Sequence, residues 1–483
     1  MPSNVTRIED LADAHVGVVG MGRTGRAVLE ALSTLGARVS VYDERQESLE
    51  DLPAAAASAC AGSPGRLAQA LTEQRPRLLV VSPGVPATGP VLAAAAACGI
   101  ETWSEVELAW RLQRASARPD VPWVAVTGTD GKTTTVGMLA AILTAAGLNA
   151  PAVGNIGAPV VTTVLEGGAD VLAVELSSFQ LHTTRTLSPL AAACLNLAPD
   201  HLDWHGGYED YRADKARVYA RTRRGAVYNC ADEATCLMVR EADVMEGCRA
   251  VGFTLEAPAL GQVGVVDDLL VDRAWHPGRH TEGLEVATLA DLAHLAPGGQ
   301  AARLPAHVLA DALAAAALAL AAGVAPQDVL TALADARIES AHRMDVRLLA
   351  GDLLLVDDSY NANIDSMTAS LATLPVLAAG RRRVVVVSEM LELGASSPAD
   401  HRRTGELVAQ AGAALLLTVG QGAAPAAAAA RERGVEVVEV ADAGAALARI
   451  DSLVRDGDAV LVKGSHGSGA WRLADHLKEV RSQ

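Results

Sequence analysis

The sequence predicts an α/β protein of three domains, and three observations carry that prediction. Short apolar runs of strand length are followed by segments of helix length from His15 onward and again through the C-terminal third, the pattern of parallel sheets. Two strand-to-helix turns are glycine-rich, at Gly20–Gly25 and Gly128–Gly131. A breaker-rich stretch from Arg114 to Pro122 separates the two turns. The 483 residues divide on this reading into domains at 1–119, 120–343 and 344–483.

In the first domain, His15-Val-Gly-Val-Val-Gly-Met-Gly-Arg-Thr-Gly25 reads as strand and tight turn, Ala27 to Leu35 as helix, and Arg38 to Asp43 as the next strand. Gly20, Gly22 and Gly25 form G-x-G-x-x-G, with an acid near the end of the following strand. That is a Rossmann-like arrangement, and taken alone it fits a nicotinamide-dependent dehydrogenase. The glycines and helix N-terminus read a pyrophosphate rather than a nicotinamide, so any nucleotide diphosphate fits as well. A strand over Arg77 to Ser82, ending in Pro83-Gly84-Val85, and a helix over Pro90 to Cys98 complete the unit.

The central domain opens on a strand over Trp123 to Val126 and the loop Thr127-Gly-Thr-Asp-Gly-Lys-Thr133, followed by a helix over Val136 to Ala146. Glycines let the backbone N–H groups of such a loop close around phosphate oxygens. Lys132 reaches the outer phosphates and Thr133 is placed to hold Mg²⁺. The motif is a shortened variant, because Val126 stands where G-x-x-x-x-G-K-[ST] has its first glycine. The domain is therefore expected to be a P-loop ATPase-like parallel sheet.

Further along, Gly154-Asn155-Ile-Gly157 sets an amide between two glycines, and Asp170 to Glu175 reads as a buried strand ending in an acid. An acid at the carboxyl end of a parallel strand lies where α/β sheets bind ligands and where NTPases hold a metal. Asp200-His201-Leu-Asp203-Trp-His205 lacks a third cluster with zinc spacing, so turn residues are the simpler account. On the helix expected over Tyr208 to Tyr219, Tyr208, Tyr211, Lys215 and Val218 share one apolar face. A lysine on that face either meets an anion, loses its charge or snorkels outward.

Asn229 to Pro297 reads as strand-rich with acidic loops, and Leu304 to Ala322 as an Ala/Leu helix. Ile338 to Asp345 leads to a strand over Leu353 to Val356 and the loop Asp357-Asp-Ser-Tyr-Asn-Ala-Asn363. The last third alternates strands (Val384–Val387, Leu415–Val419, Val435–Val440, Ala459–Val462) with helices, a second Rossmann-like domain. Its strands end in Ser388-Glu-Met-Leu-Glu392-Leu-Gly394 and Lys463-Gly-Ser-His-Gly-Ser-Gly469, where Lys463 either binds an anion or pairs with a neighbour.

The totals narrow the function. A formal charge of −17 argues against a general nucleic-acid or membrane-surface binder, so anionic ligands must be held by local features. Six cysteines without a C-x-x-C pair are expected to be reduced, mostly buried thiols, as in a cytoplasmic protein. The N-terminus lacks the apolar stretch of a secretory signal. The most apolar run, Ala312 to Ala322, is far below the roughly 18 residues of a membrane span.

Gly20-Met-Gly-Arg-Thr-Gly25, Ser82-Pro-Gly84, Thr127 to Thr133, Gly154-Asn-Ile-Gly157, Glu175-Leu-Ser-Ser-Phe-Gln-Leu181 and Asn196 to Lys215 together resemble the Mur ligases, three-domain enzymes of peptidoglycan synthesis. The first two domains resemble the glutamate-adding member. Asp357 to Asn363, Met390 to Gly394 and Val462 to Ser465 are more similar to the member that adds D-alanyl-D-alanine, and Val308-Leu-Ala-Asp311 replaces the usual Asn-x-x-Asn.

The resemblance implies a cytoplasmic, monomeric, ATP- and Mg²⁺-dependent ligase with no nucleic-acid or membrane partner. It would add glutamate, D-glutamate above all, to UDP-N-acetylmuramoyl-L-alanine through an acyl phosphate. L-glutamate or another amino acid is the alternative within the family. By the same carry-over Arg23, Thr24, Glu44, Arg45, Gly84 and Asn155 would contact the UDP-sugar. Gly128, Thr129, Asp130, Gly131, Lys132, Thr133, Thr134, Arg343 and Asp358 would contact ATP. Thr133 and Glu175 would hold one Mg²⁺, and His201 with a carbamylated Lys215 the other. Lys132, Glu175, His201 and Lys215 are thus the expected catalytic set. The carbamate fits the reading of Lys215 from its helix face, since burial disfavours a charged lysine and a neutral amine takes up CO₂.

Overall fold

The computed structural model describes residues 6–52, 56–296, 299–335, 342–391, 393 and 396–482. Their strands form three sheets. The first is parallel throughout and contains β1 (His15–Val19), β2 (Arg38–Asp43), β3 (Ala56–Ala61), β4 (Leu78–Val81) and β5 (Glu101–Ser104) in the order β3-β2-β1-β4-β5. Strand order reverses at β1, so the carboxyl ends of β1 and β4 splay and leave a crevice, the usual ligand position in such sheets.

Gly25 explains why the turn after β1 is glycine-rich. A Cβ there would lie 1.9 Å from the Gly20 carbonyl oxygen, so only glycine lets helix Arg23–Thr34 start this close to the strand. That helix begins four residues before the expected Ala27 and ends at Thr34. The turn itself supplies its first residues, which carry no apolar periodicity.

The second sheet holds β6 (Trp123–Thr127), β7 (Ala152–Gly154), β8 (Leu172–Glu175), β9 (Ala191–Cys194), β10 (Gly225–Asn229), β11 (Arg249–Phe253), β12 (Gln262–Val266), β13 (Leu269–Asp272) and β14 (Leu284–Thr288). Its order is β14-β13-β12-β11-β10-β9-β6-β8-β7. The pairs from β7 to β12 are parallel, whereas β12-β13 and β13-β14 are antiparallel, which the expectation of a parallel sheet did not contain. The reason is the short link: two residues, Asp267 and Asp268, join β12 to β13, and a crossover to a parallel strand needs a dozen or more. The middle strands are continuous apolar runs buried on both faces, as parallel strands between helices must be. Helices Glu233–Glu241 and Pro326–Asp335 also lie outside the sequence reading.

The third sheet joins β15 (Asp345–Leu349), β16 (Leu353–Asp358), β17 (Arg383–Ser388), β18 (Leu415–Val419), β19 (Glu436–Val440) and β20 (Ala459–Lys463) in the order β15-β16-β20-β17-β18-β19, with only β15 antiparallel. The expected residues Ile338 to Ala341 and, in the Met390 loop, Glu392, Gly394 and Ala395 lie outside the described residues.

Two compact units emerge. One comprises Met1–Leu197, Trp204–Asp291 and Leu309–Ala336, and carries the first two sheets. The other comprises Ala198–Asp203, Leu292–Val308 and Arg337–Gln483, with the third sheet. Among the described residues no helix is long and apolar enough to cross a membrane. All six cysteines are free thiols, but only Cys194 is fully buried, which corrects the expectation of mostly buried thiols. The other five sit on the edge strand β3, in helix Glu233–Glu241 or at the ends of elements, where solvent reaches them.

Within the first unit, Glu105 is a buried carboxyl that accepts a 2.6 Å hydrogen bond from Val161 N. Burial pushes its pKa up to about 7, and the N–H groups of Val161 and Val160 offset only part of that. A carboxyl whose pKa rises on folding stabilises the native state fully below its ordinary 4.5, and that contribution is lost as pH climbs through about 7. Glu105→Gln is therefore expected to flatten the fall in stability between pH 5 and pH 8, by on the order of 3 kcal/mol. Urea midpoints at the two pH values measure it; equal slopes for wild type and variant would refute it.

Candidate active site

The phosphate loop joins β6 to helix Lys132–Ala145, which starts four residues before the apolar run at Val136. Gly131 caps this helix at φ 79°, and a Cβ there would come within 2.3 Å of Asp311 Oδ1. Backbone conformation and space both require glycine. Asp311, buried on helix Ala306–Ala322, accepts from Thr135 Oγ1 at 3.1 Å. On the loop's other side, Asn196 accepts from Asp130 N at 2.8 Å and donates to Asp130 O at 3.2 Å. The loop is held from both flanks.

Strand order brings the charged groups to this loop. β8 neighbours β6, with Val126 opposite Glu175, and β7 neighbours β8, with Gly154 opposite Glu175. Glu175 is fully buried and both its oxygens are engaged: Thr133 Oγ1 donates to Oε2 at 2.9 Å and Asn155 Nδ2 donates to Oε1 at 2.8 Å. Asn155, expected at the UDP-sugar, is thus bonded to Glu175 beside the glycine loop.

Two lysines converge on the same loop. Lys132 Nζ donates to the carbonyls of Gly128 and Thr129, at 2.8 and 2.7 Å. Lys215 Nζ donates to Gly128 O at 2.8 Å and lies 4.8 Å from the centre of the Tyr211 ring. Its residue is 2% exposed, on helix Tyr208–Ala216, so the apolar-face reading holds and the snorkelling alternative does not. Tyr211 OH lies 2.9 Å from Thr129 Oγ1, a further tie between helix and loop.

Behind this helix is a network that the sequence reading missed. Asp214 accepts from Nδ1 of His182 and of His205, at 2.8 and 2.9 Å, and from Arg217 Nε at 3.1 Å. Burial alone would raise the Asp214 pKa, but the two histidine bonds outweigh it and hold the carboxyl down to about 2. His205 Nε2 lies 2.9 Å from Ser178 Oγ. The dense His and Asp of Asp200 to His205 were the available signal, read as turn residues because the partner Asp214 is nine residues beyond His205.

The crevice of the first sheet encloses about 600 Å³ and is lined by Arg23, Thr24, Glu44, Arg45 and Gly84, five of the six residues expected around a UDP-sugar. Asp43, the acid a dinucleotide site would aim at a ribose, instead accepts from Met21 N at 2.6 Å and Arg45 N at 2.9 Å. It braces the glycine turn, which weakens the dehydrogenase reading.

The second unit holds His201, Arg343 and Asp358. His201 adopts φ 53° beside Asp200, Nε2 to Oδ2 3.6 Å. The Arg343 guanidinium lies 4.0 Å from the centre of the Tyr360 ring. Asp358 pairs with the buried Lys463 at 2.6 Å, which settles the two readings of Lys463 in favour of a neighbour.

Three family models match the chain: the Mur ligase MurD-like N-terminal domain over residues 14–104, the Mur ligase middle domain over 126–282, and the Mur ligase glutamate ligase domain over 342–466. The UDP-N-acetylmuramoylalanine–D-glutamate ligase of Streptomyces coelicolor is 46% identical over 368 residues, 75% of each chain. The protein of that name from Thermobifida fusca is 46% identical over 378 residues, 76% of each chain. Among solved structures, MurF from Acinetobacter baumannii superposes with a TM-score of 0.61 at 21% identity, covering 98% of this chain and 93% of that one. MurC from Thermotoga maritima gives 0.57 at 18%, covering 97% and 100%. These two likenesses concern the fold.

Proposed function

This chain belongs to the Mur ligase family, and from that premise we propose that it joins glutamate, D-glutamate above all, to UDP-N-acetylmuramoyl-L-alanine in peptidoglycan synthesis. It is an ADP-forming acid–amino-acid ligase. The terminal phosphoryl group of ATP passes to the alanyl carboxylate, giving an acyl phosphate and ADP. The glutamate amine attacks the acyl carbon, the C–N bond forms, the C–O bond to phosphate breaks, and phosphate leaves with the amine giving up a proton.

The observation that carries this reading is the convergence of Lys132, Thr133, Glu175 and Lys215 at one glycine loop, with Asn155 bonded to Glu175. Little covalent chemistry falls to the protein in phosphoryl transfer, so positioning and charge compensation dominate. Lys132 places a cation at the loop where phosphate charge gathers. The Thr133 hydroxyl and Glu175 carboxylate oxygens stand 2.9 Å apart, close to the ~3 Å between adjacent oxygens of an octahedral Mg²⁺ shell with ~2.1 Å ligand bonds. These two would hold one Mg²⁺, and His201 with a carbamylated Lys215 a second. Bound there, the metal would offset the phosphate charge. Gly128 to Thr134, Arg343 and Asp358 would contact ATP, and the crevice with Arg23, Thr24, Glu44, Arg45 and Gly84 would seat the UDP-sugar. The enzyme would act as a cytoplasmic monomer, with the domain limits given above.

A second reading, that another amine is the acceptor, is favoured by the C-terminal segments Asp357 to Asn363, Met390 to Gly394 and Val462 to Ser465, which depart from the glutamate-adding pattern. Phosphate release with UDP-N-acetylmuramoyl-L-alanine, ATP and a panel of D- and L-amino acids and dipeptides decides between them. D-glutamate should give the highest kcat/KM. A higher value for L-glutamate or a dipeptide would reassign the acceptor, and NAD(H) binding without UDP-sugar binding would overturn the ligase reading.

A further inference from the structure

We propose that His205 is a positioning residue that fixes the Lys215 helix against the turn following Glu175, and so sets where the Lys215 amine stands over the phosphate loop. The inference rests on the reading of Lys215 as part of the active centre.

The geometry is a bracket between two pieces of that centre. Ser178 opens helix Ser178–His182, three residues beyond Glu175. Asp214 directly precedes Lys215 in helix Tyr208–Ala216. His205 spans the two, with Nε2 2.9 Å from Ser178 Oγ and Nδ1 2.9 Å from Asp214 Oδ2. An ionised carboxylate only accepts, so Nδ1 carries the proton, and the ring orientation is set from both ends. Ser178, His205 and Asp214 are 2%, 5% and 3% exposed, so water does not compete for these bonds.

The His205 ring is also gripped by its neighbours. Phe179 stacks on it at 5.6 Å, Trp204 lies at 4.5 Å, and its edge meets Tyr211 at 5.2 Å. Tyr211 in turn touches Thr129 of the loop, and Lys215 donates to Gly128. One imidazole therefore links the turn that follows Glu175, the helix of Lys215 and, through Tyr211, the loop. A small displacement of a reacting group costs up to about 10²-fold in rate, so a lost bracket should register in turnover rather than in folding alone. His182 provides a graded comparison: it closes helix Ser178–His182 and ties it to Asp214 through one bond at 2.8 Å, but its side chain is 32% exposed, so water competes for that bond.

His205→Phe keeps a ring of similar size and removes both hydrogen bonds; His182→Phe removes the single, partly exposed bond to Asp214. With ATP, Mg²⁺, UDP-N-acetylmuramoyl-L-alanine and D-glutamate, His205→Phe should lower kcat tenfold or more and leave the UDP-sugar KM within twofold. It should also weaken the lysine carbamate ¹³C NMR signal of ¹³CO₂-equilibrated protein at least twofold. His182→Phe should leave all three within twofold. Ser178→Ala, which deletes one oxygen and tests the bracket should His205→Phe not fold, should lower kcat threefold or more with the same KM. Wild-type kcat in both His205→Phe and Ser178→Ala overturns the proposal, as do equal losses of Tm and kcat in the two histidine variants. Lys215→Ala separates the levels: if it is inactive while His205→Phe and Ser178→Ala are normal, only the bracket fails; if it is fully active, the reading beneath fails too.

Discussion

Lys132→Ala is expected to lower the rate of ADP formation roughly 10³-fold, with UDP-sugar affinity unchanged within twofold. Lys132 sits at the start of the helix after the phosphate loop, its ammonium held by the Gly128 and Thr129 carbonyls. Lys215 is tied to the same Gly128 carbonyl but is buried beside the Tyr211 ring. Charge on the transferred phosphoryl group would thus lose the counter-charge that Lys132 supplies. The crevice proposed for the UDP-sugar belongs to a different sheet, lined by Arg23 and Arg45, and should not register the change. Coupled-enzyme kinetics with isothermal titration of the UDP-sugar measures both quantities. A variant within tenfold of wild type would rule out Lys132 as the phosphate-facing cation.

Lys215→Ala should reduce kcat about 10²- to 10³-fold, and short carboxylic acids such as formate or acetate should restore part of it. At 2% exposure the lysine is an unusual resident of an apolar face, and a carbamate would convert it into an anion that a metal pairs with. A small carboxylate entering the space left by the side chain supplies the same two oxygens. Wild-type turnover in the variant would end the carbamate role. Turnover lost without rescue, in a protein that keeps its Tm, would confine Lys215 to a hydrogen-bonding role at Gly128.

Much of this was legible in the residues. Trp123 to Thr133 announced strand, turn and phosphate loop because each part has a local signature: an apolar run, glycines where the chain must turn sharply, and a helix start. The stepping of Tyr211, Lys215 and Val218 placed a lysine inside, and all three are buried. Helix starts were less legible. At Arg23 and Lys132 the first turn is made of loop residues without apolar period, so a periodicity reading begins one turn late.

The sequence by itself determined the α/β class, the two glycine turns, the phosphate loop and the buried lysine, since all of these follow from backbone conformation and side-chain period within a few residues. Tertiary structure alone decided the partners. Asn155 meets Glu175 because β7 lies beside β8, Asp43 turns inward to brace Gly20–Gly25, Lys463 spends its charge on Asp358, and His205 reaches Ser178 and Asp214 at once. Such pairings join residues 9 to 105 positions apart in the chain. Strand order and the desolvation of buried charges select them, and neither is encoded in a local window.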